Sequence, residues 1–174
     1  MPAYYIYLIS SLPMLHFGNK PPFSFEKFLN ICQGLILEED LVILKRISRS
    51  GEYEDKEAHP ALRAWYDFDT DLRNELVKIR AGHKKIEPAK YLRKDGFIES
   101  AVSHLAWNAH RSTSLLEGEK ILDAGRWNKL EELSLGHYFD LDSLIIYAVK
   151  LLILERWERI NSADKERLLA QTLS

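Results

Sequence analysis

One cysteine, Cys32, stands among 174 residues, so no internal disulfide can form and no cysteine pair offers metal-ligand spacing. No basic, apolar signal segment opens the chain, and with the lone thiol this leads to the expectation of a reducing cytoplasm. Glycine and proline are scarce, at 8 and 6, which suits long helices better than a fold of many turns. No charge dominates either. Lys and Arg number 24 against 26 Asp and Glu, a formal net charge of -2, so no global field draws the chain to nucleic acid or to an anionic membrane. Long apolar runs are missing too. Tyr4 to Leu12 stops at Pro13 and Leu144 to Leu154 contains Lys150; both fall short of the roughly 20 residues that a bilayer span takes.

Signatures of chemistry are absent in turn. There is no Gly-x-Ser-x-Gly elbow, no Ser-x-x-Lys in a suitable context and no glycine-rich phosphate loop. His104 and His110 lie near Glu99 but are six residues apart, which puts them on different faces of a helix, unlike an i, i+4 zinc pair. His59, His83 and His137 each sit beside a turn and read as surface or structural histidines. Asp67, Asp69 and Asp71 alternate like the start of a calcium loop, yet the required Gly and distal Glu are missing and Leu72 and Leu76 follow. The expectation is therefore no catalytic residue, no cofactor and no metal site.

What is present is 46% hydrophobic and 29% charged residues, the composition of a packed globular chain. Helix signals dominate. Ser24 suits an N-cap and Gly34 a helix end; Glu38 to Ser48 carries acids at its start and bases at its end, matching the helix dipole. Pro60 opens a helix that Gly82 terminates, with continuity favoured across Asp67 to Asp71. Phe97 to Asn108 and Ser112 to Ala124 read as helices, Gly125 as a turn, and Trp127, Leu130 and Leu133 as one further short helix. Asp140 caps a long helix through Ile160, apolar nearly all round and so the central post of a bundle; Ser162 caps a terminal helix. Tyr4 to Ile9 is ambiguous between buried strand and buried helix. The fold class expected is an all-α multi-helix bundle, a single helical domain over 1–174, with possible sub-units 1–82 and 96–174 joined by a basic connector.

That connector holds the densest charge cluster: Lys78, Arg80, His83, Lys84, Lys85, Lys90, Arg93 and Lys94. Tyr91 is the one aromatic there, so the stacking array of a single-strand binder is missing and nucleic acid is weakly supported. Lys84, Lys85, Lys90, Arg93 and Lys94 are the candidate partner-binding residues, for an acidic protein or, alternatively, RNA.

Three stretches together resemble a known family: Tyr-Tyr-Ile-Tyr-Leu-Ile-Ser-Ser-Leu-Pro (4–13) with Lys-Pro-Pro-Phe-Ser-Phe-Glu-Lys-Phe-Leu (20–29); the run 71–81, with Asp71, Asn74 and Arg80; and the run 136–157, ending in Trp157. They look like an uncharacterised bacterial family encoded among V-type ATPase subunits, itself distantly similar to the C-subunit of V/A-type rotary ATPases (the d-subunit in eukaryotes). The resemblance implies part of that helical C-subunit fold. The C-subunit proper is longer and built from three similar helical parts, whereas this chain has room for one or two. By the same resemblance, Asp71, Asn74, Arg80 and Trp157 are structural pattern residues and the partners are rotor-ring or central-stalk subunits. The implied role is coupling ATP hydrolysis to ion movement without an active site, peripheral to the membrane.

Overall fold

The computed structural model describes residues 4–47, 59–93 and 98–172, the last stretch with side chains to 163. Seven α-helices follow one another: α1 (Tyr5–Ser11), α2 (Phe25–Cys32), α3 (Glu38–Ile47), α4 (Pro60–Lys84), α5 (Ser100–His110), α6 (Leu115–Leu133) and α7 (Leu141–Thr172), with a 3-10 turn at Pro88–Tyr91. No strand occurs among the described residues, so the chain is all-α. No helix of the described part is long and apolar enough to cross a membrane.

Two compact units emerge, with boundaries other than 82 and 96. One joins Met1–Glu52 to Glu132–Ser174 and the other is the internal stretch Tyr53–Glu131. In the first unit α1, α2 and α3 all pack on α7. Leu144, Ile145, Ile146, Ala148, Val149, Leu151, Ile153 and Leu154 are buried almost without interruption, so this part of α7 is apolar nearly all round and is the post of that unit. Side chains stitch early residues to late ones. The Phe25 N–H donates to Glu155 Oε1 at 2.9 Å, Tyr147 Oη donates to the Pro13 carbonyl at 3.0 Å, and the Phe28 and Tyr147 rings stack at 5.3 Å. Cys32 is buried here, and desolvation pushes its thiol up to about 12.

The helix ends follow local chemistry. Ser24 Oγ accepts from the Lys27 N–H at 3.2 Å, and Gly34 takes φ +79 just past α2. Asp140 Oδ1 accepts from the Ser143 N–H at 3.0 Å and so caps α7. α1 stops at Ser11 because Leu12 precedes Pro13 and is driven extended (ψ 133). The Tyr4 to Ile9 segment is a helix, but Leu8 is its one buried residue; Ile6 and Tyr7 are 66% and 68% exposed, contrary to the buried reading.

Several helix boundaries differ from expectation, the start of α6 at Leu115 in place of Ser112 among them. α4 passes through Gly82 to Lys84, and the left-handed residue after it is Lys85 (φ 53), whose N–H reaches the carbonyls of Ala81 and Gly82. α5 begins at Ser100 and runs to His110. Gly125 makes no turn and lies inside α6: a Cβ there would come within 2.2 Å of Leu105 Cδ2, so the missing side chain admits α5 against α6. Ser162 caps nothing, since α7 runs on to Thr172. Ser48 and Phe97 lie outside the described residues.

Candidate functional site

The internal unit carries a core of Leu72 and Ile79 from α4, Val102, Ala106 and Ala109 from α5, and Leu122 from α6. Beside it lies a buried ion network. Arg126 Nε donates to Asp69 Oδ1 and Arg126 Nη1 to Asp123 Oδ1, both at 2.8 Å, while Arg73 Nε approaches Asp69 Oδ2 at 2.8 Å. Asp69 and Asp123 are 2% and 1% exposed. Burial alone pulls the Arg126 guanidinium down, but the two carboxylates outweigh it and hold it above its ordinary value. The alternating aspartates therefore belong to one continuous helix, with Asp69 turned to a cationic partner.

Asn74, one turn further along α4, is 4% exposed and clamps the basic connector. Its Nδ2 donates to the Arg93 carbonyl at 2.6 Å and its Oδ1 accepts from the Arg93 N–H at 3.0 Å, a paired backbone grip like that of a strand neighbour. The pattern residue and the basic segment, separate in the sequence, thus meet. Lys84, Lys85, Lys90 and the Arg93 side chain are exposed on the segment so held, and Lys94 lies outside the described residues. Asp71 is half-buried and Arg80 exposed on α4; Trp157 is half-buried on α7 in the other unit.

Two clefts open along α4 and α5. One, of about 330 Å³, is lined by Glu75, Lys78, Ile79, Gly82, His83 and Trp107. Glu75 is buried, which alone would raise its carboxyl, yet hydrogen bonds from Lys78 (2.8 Å) and Ser103 outweigh this and lower it. The second, of about 320 Å³, includes Arg80, His110, Ser112, Thr113 and Glu119 in its walls. Between them His83 and His110 meet, Nε2 to Nε2 at 2.9 Å. Nothing in the sequence flags that pair, since 27 residues separate its members; His104, flagged with His110, is exposed elsewhere on α5.

In the other unit His137, Asp140 and Asp142 converge, with His137 Nδ1 at 2.7 Å from Asp140 Oδ2 and 3.0 Å from Asp142 Oδ2. The group sits on the first turn of α7, where the helix dipole favours anions and opposes a cation, and Asp140 already caps the helix. It reads as a capping cluster.

Comparison with known proteins adds one finding. Residues 106–172 match a family described as "Protein of unknown function (DUF2764)". The match takes in the end of α5 and all of α6 and α7, less than half of the chain. No curated protein and no solved structure matches.

Proposed function

We propose that this chain is a non-catalytic, protein-binding component of a bacterial V-type ATPase, acting at the central stalk or rotor from the cytoplasmic face of the membrane. The assembly is named on the sequence resemblance at 4–29, 71–81 and 136–157. The observation that carries the binding role is the Asn74 grip on Arg93, which fixes a cationic edge to a 25-residue helix. Cations presented on an ordered segment lose less entropy on docking than cations on a free loop, so an acidic partner surface is the fit. Lys84, Lys85, Lys90 and Arg93 would make the contact, Asn74 would position them, and α7 would supply stiffness.

The test is copurification of the tagged full chain, coexpressed with every V-type ATPase component. Recovery of stalk or rotor proteins is expected, weakened by salt and by Lys84→Glu with Lys85→Glu and Lys90→Glu. Repeated recovery of the chain alone would sink the proposal. Retention of RNA in place of protein would do the same and favour the basic segment as an RNA-binding module.

A further inference from the structure

We propose that His83 and His110 form a two-imidazole site for a divalent transition-metal ion of the nickel, copper and zinc class, which clips the end of α4 to the end of α5. Four observations on these residues carry it, independently of the role proposed above.

The first is geometry. The two Nε2 atoms face each other at 2.9 Å. Metal–imidazole bonds of about 2.0–2.1 Å held at a right angle place their nitrogens about 2.9 Å apart, the edge of an octahedral or square-planar shell. The spacing is thus already that of a shared ion, and the rings need only turn so that both lone pairs converge on one point off the line joining the nitrogens. Imidazole is a ligand that suits this class of metals, with copper the tightest of the series.

The second is orientation. The edge of Trp107 meets the His110 ring at 77° and 6.2 Å, and the two histidine rings lie 4.7 Å apart at 44°. His110 thus packs against a neighbour on its own helix as well as against His83.

The third is field. His83 lies in the last turn of α4 and His110 is the last residue of α5. Both helices point their negative dipole ends at the pair, which favours a cation there. Lys84 and Lys85 oppose with their own charge, so the ion is held exchangeably and not locked in.

The fourth is space. Nothing lies within 4 Å of where a Cβ of Gly82 would be, and His83 opens on the 330 Å³ cleft. Water can complete the coordination shell. Between two neutral rings one Nε2–H donates to the other Nε2. On binding, the donating ring carries its proton at Nδ1 instead, freeing both Nε2 lone pairs with no net loss of a proton.

Copper(II) titration of the full chain, followed by electron paramagnetic resonance, should show two equatorial nitrogens; a spectrum with none or one overturns the site without any variant. Nickel(II) calorimetry should give one ion per chain. His83→Ala and His110→Ala should each weaken binding by roughly a hundredfold or more, at or above the top of the range for loss of a mere outer partner, while His104→Ala leaves it unchanged. Both residues are exposed, and circular dichroism checks that the variants fold. Equal affinity in wild type and His83→Ala overturns the proposal. So does a loss of binding on His137→Ala alone, which would assign the ion to the α7 cap.

Discussion

The two units bury different things. All the buried polar residues of the described chain, Asp69, Thr70, Asn74, Glu75 and Asp123, lie in the internal unit. The unit formed from the two chain ends buries apolar side chains throughout, with α7 as its post. One is held chiefly by non-directional removal of apolar surface from water, the other in addition by hydrogen-bonded charge. A unit of the first kind tolerates sliding and repacking. A unit of the second kind has one register in which Arg126 reaches both carboxylates.

That contrast breaks most sharply at Arg126. Arg126→Met leaves Asp69 and Asp123 buried without their shared cation, and a loss of about 3–5 kcal/mol is expected from urea unfolding. Replacing Asp69, Asp123 and Arg126 together by apolar residues of similar volume should cost little. If the triple replacement is as harmful as the single one, the network is not what specifies this unit. The matching change in the apolar unit is Leu151→Ala, which opens a cavity beside a fully buried position and should cost about 2–5 kcal/mol, with no rescue by any charge pair. Asn74→Ala is milder. It releases both hydrogen bonds to Arg93, worth about 1–3 kcal/mol together, and its distinctive readout is faster amide exchange at Arg93.

What the sequence makes legible divides along the same line. In the apolar unit the caps at Ser24 and Asp140, the stop before Pro13 and the all-round apolar face of α7 are local patterns, readable from spacing and residue type. In the internal unit the decisive pairs are distant: Asp69 with Arg126, Asn74 with Arg93, His83 with His110. Each member alone is an ordinary helix-surface residue, and no periodicity marks which one turns inward. Glycine misleads for a related reason. Gly125 and Gly82 read as punctuation, but helix hydrogen bonding carries through both, and at Gly125 the small residue answers a neighbour that only the packing reveals.

Gly125→Ala tests that explanation with a smaller effect. Alanine gains about 1 kcal/mol of helix propensity, but the new Cβ collides with Leu105, and overpacking costs about 1–3 kcal/mol. A net loss near 1 kcal/mol is expected in thermal unfolding. Adding Leu105→Ala should reverse its sign, because the collision is gone and the propensity gain stays. Additive effects of the two changes would mean that Leu105 is not the reason for the glycine.

The smallest effect belongs to a charged feature of the apolar unit, the cap of α7, and it is read by pH. The hydrogen bond to Asp140 raises the His137 imidazole above its ordinary 6.5, against a smaller opposing cost of desolvation and with help from Asp142. Burial tends to raise the Asp140 carboxyl from 3.8, but the Ser143 N–H and His137 outweigh it and hold it lower. A raised imidazole contributes stability that is fully present below 6.5 and fades as pH climbs through its folded value. A lowered carboxyl contributes stability present above 3.8 and lost as pH falls through its folded value. The cap is therefore strongest in the mildly acidic window between the two, where His137 is protonated and Asp140 is ionised. Thermal midpoints measured across that window into mildly alkaline pH should drift downward in the wild type, and His137→Ala should flatten the drift while leaving the acid-side loss in place. An alkaline drift that survives His137→Ala would show that the α7 cap is indifferent to this histidine.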